Sequence, residues 1–277
     1  MVGQTVQVTK PLDINYERTC NCPPNHINCL SAKEWVRSMV GIWEFSYEKR
    51  DIRDKNIHPA VFPIALPVQF IKLLTHEGEL VLDPFGGIGT TLLAAQDLNR
   101  NAVGFDLKEE YIEIARQRLS QARLLNDTKQ LAIRDDARNI PQYLKEKTVT
   151  LVVTSPPYSR FLDKPRLNKS IRGDLRNNKH YLSVQQYSQD PKDIGTLEPI
   201  TFSKELAKIF EGILPLLKPK AHCVIDINDL WWENKRIPTH VYIVEEMLRV
   251  GYDLRNILIW DRRNLVNKVG IFGYPNN

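Results

Sequence analysis

The feature that most limits how this chain can fold is a glycine-rich turn, Asp83-Pro84-Phe85-Gly86-Gly87-Ile88-Gly89-Thr90-Thr91, set between a short apolar run and a helical pattern. Glycines there permit positive φ and remove Cβ atoms, so the backbone can pass close against a ligand. Around the turn, strands and helices alternate. Continuous apolar runs at 79–83, 102–106, 130–135, 148–154, 221–228 and 253–261 read as strands. Helical spacing runs from near Pro63 to the stop at His76-Glu77-Gly78, then over 90–98, 108–125, 202–217 and 239–250, with a shorter turn at 140–144. Pro67 falls inside the first of these helices and is placed in its first turn. Strands that are apolar throughout, separated by helices, predict an α/β fold: a mainly parallel, Rossmann-like sheet covered on both faces.

The length of 277 residues suits one large domain of this kind with a small appendage. Residues 1–57 read as an irregular, polar N-terminal extension holding one amphipathic stretch at 35–40, and 58–277 as the main domain. No apolar run approaches the roughly 18 residues that a membrane span needs. The first residues, MVGQTVQVTKPLDINYERTC, are too polar for a signal peptide, so a cytoplasmic address is expected. Cys20, Cys22 and Cys29 crowd around His26 as C-x-C-x3-H-x2-C, a spacing tighter than that of common zinc modules. The expectation is reduced thiols and no metal.

The net charge of +5 is mild, but its distribution is not even. Between 160 and 180 stand Arg160, Lys164, Arg166, Lys169, Arg172, Arg176 and Lys179, against only Asp163 and Asp174. This basic stretch, within an insert at 159–200, is a candidate phosphate-contacting segment; a solvated loop is the plainer alternative.

A second motif, Thr154-Ser155-Pro156-Pro157-Tyr158, ends the strand at 148–154. Carboxyl ends of strands in open α/β sheets are where ligands bind. Adjacent prolines fix the backbone, and the serine hydroxyl and a proline carbonyl can accept both protons of one amino group. A neighbouring tyrosine can stack on the ring carrying that amine. An acid, Asp106, ends the strand after the glycine loop, where a carboxylate can receive ribose hydroxyls. The loop departs from the dinucleotide pattern, because Thr90, Thr91 and Leu92 stand where a third glycine is required, which sets nicotinamide aside.

Read together, the two motifs resemble those of the amino-methylating DNA methyltransferases, the N4-cytosine and N6-adenine enzymes, over roughly residues 57–261. The resemblance implies S-adenosylmethionine as cofactor, held by Asp83, Phe85, Gly87, Gly89, Thr90 and Thr91, with Asp106 on its ribose. His58 and Phe62, in His58-Pro59-Ala60-Val61-Phe62-Pro63, match the segment lining the methionine pocket. Asp136 matches the acid that reads the cofactor adenine, with Asp135 as the alternative. Ser155, Pro156, Pro157 and Tyr158 match the catalytic base motif, and serine at 155 favours cytosine N4 over adenine N6. Double-stranded DNA with a flipped base is the implied partner, and a cognate restriction endonuclease a further one. Rival readings are an RNA or protein methyltransferase of the same fold and a non-catalytic binding module. The family sheet ends in a hairpin whose last strand should follow Asp261; no apolar strand is in view there, so that strand is expected to be missing.

Overall fold

The computed structural model describes residues 10–48, 62–121, 127–159, 190–232 and 235–261. Its centre is a parallel sheet built from β4 (Leu80–Asp83), β5 (Asn101–Asp106), β6 (Gln130–Arg134), β7 (Val149–Thr154) and β8 (Leu217–Ile225). The order across the sheet is β6-β5-β4-β7-β8. The direction of travel reverses between β4 and β7, the switch point where such sheets open a crevice at their carboxyl ends.

Side chains alternate along these strands and divide the core in two. Leu80, Leu82, Val103, Phe105, Ile133, Val149 and Val152 face one cluster, which α5 (Pro199–Ile213) closes with Phe202, Leu206 and Phe210 and α6 (Thr239–Arg249) with Ile243 and Met247. Val81, Ala102, Ala132, Leu151 and Val153 face the other, covered by α2 (Ala65–Leu74), α3 (Thr90–Asp97) and α4 (Glu109–Gln121). Period-two alternation with both faces apolar is what makes the inner strands β4, β5 and β7 read as nearly unbroken apolar runs. Helices therefore lie on both faces of a Rossmann-like α/β fold. Pro67 sits in the first turn of α2, where its missing N–H has no helical partner to lose.

Besides β8, which runs over Leu217–Ile225 where the apolar run is at 221–228, three sequence expectations differ from the structure. The N-terminal part is not irregular: it forms a hairpin of β1 (His26–Ile27) and β2 (Leu30–Ser31), a helix α1 (Ala32–Ser38) and a strand β3 (Ile42–Glu44). α1 opens with a capping box, Ser31 receiving the Glu34 N–H while the Glu34 carboxylate receives that of Ser31. The strand expected at 253–261 shrinks to β11 (Ile259–Asp261), and it pairs in parallel with β3 rather than with β8. Leu254 and Ile257 are exposed, which removes the burial a longer strand would need. Third, β9 (Leu230–Trp232) and β10 (Lys235–Ile237) form an antiparallel hairpin that apolar periodicity does not reveal. Among the described residues β8 has a strand on one side only. None of the described helices is long and apolar enough to cross a membrane.

Candidate functional site

A pocket opens at the carboxyl ends of β4, β5, β6 and β7, as the switch point requires. The turn after β4 forms its floor. Asp83 is buried, and its carboxylate receives the Phe85 N–H at 3.1 Å and the Thr154 hydroxyl at 2.6 Å. The second bond ties the end of β7 to the start of the glycine loop. Burial pushes the Asp83 carboxyl up to about 6 against those two donors.

The loop is held from three sides. The Gly86 N–H donates to the Phe105 carbonyl at 2.7 Å, and a Cβ at Gly86 would meet the Gly104 backbone at 3.4 Å. The Gly87 N–H donates to Asp106 at 3.0 Å. Gly89, at φ +80°, begins α3 in the left-handed region, and a Cβ there would lie 2.9 Å from that of Ala115. From α4 the buried Arg118 donates to the Ile88 carbonyl, closing the turn from behind.

Asp106 is positioned by two backbone donors, Gly87 and Lys108, the latter at 2.9 Å. Burial raises its carboxyl to about 6, opposed by those donors and reinforced by the charges of Asp83 and Asp193. Asp135 and Asp136 follow β6. Asp136 caps the next turn through the Arg138 N–H and pairs with the Arg138 guanidinium at 2.9 Å. Asp135 receives the Tyr143 hydroxyl and Asn139, which hold its carboxyl below the usual range in spite of partial burial.

Most of the described cofactor and base candidates meet here. Phe62, Asp83, Phe85, Gly87, Thr90, Asp106 and Asp136 line the pocket, and so do Ser155, Pro156 and Pro157. Asp135, the alternative to Asp136, lines it as well. Gly89 and Thr91 do not: one starts α3 and the other is buried within it. Tyr158 lies beside the pocket, its hydroxyl 3.4 Å from the Ser155 Oγ. His58 and the basic residues Arg160, Lys164, Arg166, Lys169, Arg172, Arg176 and Lys179 lie outside the described residues.

Residues that the motifs did not announce also line the pocket, among them Tyr111 on α4 and Lys192, Asp193 and Ile194 ahead of α5. The only signal for the last three is the turn-forming run Asp190-Pro191-Lys192-Asp193, in which the Asp193 side chain receives the Gly195 N–H. Asp83, Asp106, Asp135, Asp136 and Asp193 face Arg138 and Lys192 across the same space. This acidic excess favours a ligand carrying positive charge.

A parallel sheet with a glycine turn after its central strand and an acid ending the next has the architecture of the Rossmann-like methyltransferases that use S-adenosylmethionine. More particularly, residues 7–117 match the model of the DNA methylase family, which includes N6- and N4-methylating enzymes. That match takes in the glycine loop and Asp106, while the Ser155-Pro156-Pro157-Tyr158 motif lies beyond it. Among curated relatives, the type II methyltransferase M.HpaI of Haemophilus parainfluenzae is 41% identical over 78 residues, which are 28% of this chain and 25% of that protein. The type II methyltransferase M.BglI of Bacillus subtilis is 40% identical over 89 residues, 32% of this chain and 24% of its own length. The matches thus span about a quarter of these relatives. Of solved structures, a TehB-like SAM-dependent methyltransferase from Corynebacterium glutamicum aligns over 75% of this chain and 83% of its own, with 15% identity and a TM-score of 0.43.

The donor set fits the cofactor that this family implies. Asp106 offers carboxylate oxygens for ribose hydroxyls, and Asp135 and Asp136 offer acceptors for an exocyclic amine. Phe62, Ile88 and Tyr111 supply apolar walls. The acidic excess suits a sulfonium.

Proposed function

We propose that this chain is a DNA methyltransferase that transfers the methyl group of S-adenosylmethionine to the exocyclic N4 of cytosine in a flipped-out base. The observation that carries the reading is the Thr154–Asp83 hydrogen bond, buried at both ends. It fixes the residues after β7 beside the glycine loop, so that Ser155, Pro156 and Pro157 share one pocket with Asp83, Phe85 and Asp106.

When bound, S-adenosylmethionine supplies an activated methyl group. The residues of this chain then have three tasks. Asp106, Asp136 and the backbone of 85–87 would hold the cofactor, with Phe62 lining the same pocket, and His58 is assigned to the methionine end by its place in the sequence motif alone. Ser155 Oγ and the Pro156 carbonyl would accept hydrogen bonds from the two amine protons, favouring a tetrahedral nitrogen with its lone pair free for in-line attack. The C–N bond forms as the C–S bond breaks to leave a thioether, and the nitrogen then gives up one of those protons to solvent. Tyr158 stacks on the base. Position, electrostatics and exclusion of water suffice, with no covalent enzyme intermediate. The basic residues from Arg160 to Lys179 are assigned to phosphate contact because they follow the base motif directly in sequence. A partner restriction endonuclease is consistent with the type II relatives.

Cytosine is favoured because serine, not aspartate, stands at 155. Adenine N6 is the second reading, since the matched family holds both kinds of enzyme. Transfer of labelled methyl to unmethylated duplex DNA, followed by nucleoside analysis, separates them. N4-methylcytosine is the expected product, and N6-methyladenine would overturn the serine argument alone. Cofactor binding without any transfer to DNA would instead identify a non-catalytic module. Ser155→Ala and Tyr158→Ala should each keep cofactor affinity while transfer falls about 100-fold or more, the scale of losing a positioned group.

A further inference from the structure

We propose that Cys20, Cys22, Cys29 and His76 form a tetrahedral zinc site that clamps the N-terminal segment to the turn leading into β4. In the sequence the histidine nearest these cysteines is His26, although no metal is expected from their spacing. The structure instead brings in His76, from a loop more than forty residues away, and His26 is not in the group. The four ligand atoms all lie within 4.8 Å of one another.

The separations are those of a metal cage. His76 Nδ1 is 3.3 Å from the Cys20 Sγ, 3.8 Å from that of Cys22 and 3.5 Å from that of Cys29. Cys20 and Cys29 stand 3.5 Å apart, Sγ to Sγ. Zinc bound tetrahedrally at roughly 2.3 Å from sulfur and 2.0–2.1 Å from nitrogen requires S···N edges of about 3.5 Å and S···S edges of about 3.8 Å. The observed edges fall within a few tenths of an ångström of these. A disulfide would need the two sulfurs at about 2 Å, and Cys20, Cys22 and Cys29 are free thiols.

Local backbone geometry serves this convergence. Asn28 and Cys29, both at positive φ, make the two-residue turn between β1 and β2, which presents the Cys29 thiol to the group. The Asn28 side chain donates to the Leu73 carbonyl at 2.6 Å, and the Thr19 N–H to the Glu77 carbonyl at 2.8 Å. Both partners flank His76. Gly78, at φ +83°, lets the segment approach, since a Cβ there would meet the Thr19 Cγ2 at 2.6 Å. Around His76 stand Glu79, which accepts its backbone N–H, and the cations Arg18, Arg100 and Lys218, three positive charges against one negative. That suits three thiolates, which leave a net negative charge after one divalent ion. With four protein ligands no coordination position is open, so the site is structural. It also adjoins the amino end of β4, whereas the pocket lies at the carboxyl end.

The test uses the full chain, purified in reductant without chelator. Elemental analysis should find one zinc per chain, lost stoichiometrically from Cys22→Ser and His76→Ala but retained by His26→Ala and Cys223→Ser. Metal-free wild type titrated with cobalt(II) should develop intense thiolate-to-metal charge-transfer absorption, saturating at one equivalent. This readout stands even if the ligand variants fold poorly. Metal-free protein that gives no such absorption would overturn the proposal. So would a Cys20–Cys29 disulfide in the freshly purified reduced chain, or metal that persists in His76→Ala and vanishes in His26→Ala.

Discussion

At the scale of single residues the pocket is governed by buried carboxylates. Asp106 and Asp83 have their carboxyls raised to about 6, burial being the main cause in both. A carboxylate that receives ribose hydroxyls or faces a sulfonium works in its ionised form. Lowering the pH through about 6 protonates it in the free protein, and binding must then expel that proton. Affinity for S-adenosylmethionine should therefore be level above pH 7 and weaken below about 6, by about tenfold per pH unit for each group that must ionise. Calorimetric titration between pH 5 and 8 measures this, and Asp106→Asn should bind weakly with a flatter profile. Affinity that is constant across the range would remove Asp106 from the role given to it. Gly89 carries a different constraint, with positive φ and no room for a Cβ against Ala115. Gly89→Ala should destabilise the fold by roughly 1–3 kcal/mol, read from the denaturant midpoint. The pocket residues that were legible in the sequence belong to two motifs whose chemistry depends on neighbours in the chain. Tyr111 and Asp193 were not, nor was Arg118 behind the loop, because a buried tyrosine or arginine on a helix, or an aspartate in a turn, looks like any other until the neighbouring elements are in place.

Elements were legible where burial on both faces wrote an unbroken apolar run. The strand runs at 79–83, 102–106, 130–135 and 148–154 each become a strand within a residue of those limits. Short strands with an exposed side carry no such pattern. Ile42 and Ile259 are exposed, so β3 is visible only through its pairing with β11, and of the run read at 253–261 only the last three residues form a strand. What holds that pair is the inward-facing side: Trp43 packs 4.8 Å from the Phe70 ring and 5.8 Å from Phe45, which in turn meets Trp260. Residues from both ends of the described chain thus share a core with α2. Trp43→Ala should cost about 3–5 kcal/mol, as large-to-small changes at buried aromatics do. If β3 were an ornament on the surface, the denaturant midpoint would hardly move.

For the molecule as a whole, the decisive quantity is where the charge sits. From Arg160 to Lys179 seven basic residues face two acidic ones, a surplus of five, and the entire chain carries +5. The rest of the protein is therefore neutral in sum, and its pocket is acidic, which suits a sulfonium cofactor and not a polyanion. On the proposed function, this segment, which continues from the base motif within two residues of Tyr158, is the strongest candidate for attracting DNA. If it grips phosphates, log affinity for duplex DNA should fall linearly with log salt. Each residue in contact should add about 0.9 to the slope. Replacing Arg166, Lys169 and Arg172 together by glutamine should flatten that slope by up to about 2.7 and weaken binding alike on every sequence, leaving S-adenosylmethionine affinity unchanged. Binding titrations of wild type and variant at several salt concentrations read both effects. An unaltered slope would mean that the segment is a solvated loop, and that the phosphate contacts have to be sought on a surface whose charges nearly cancel.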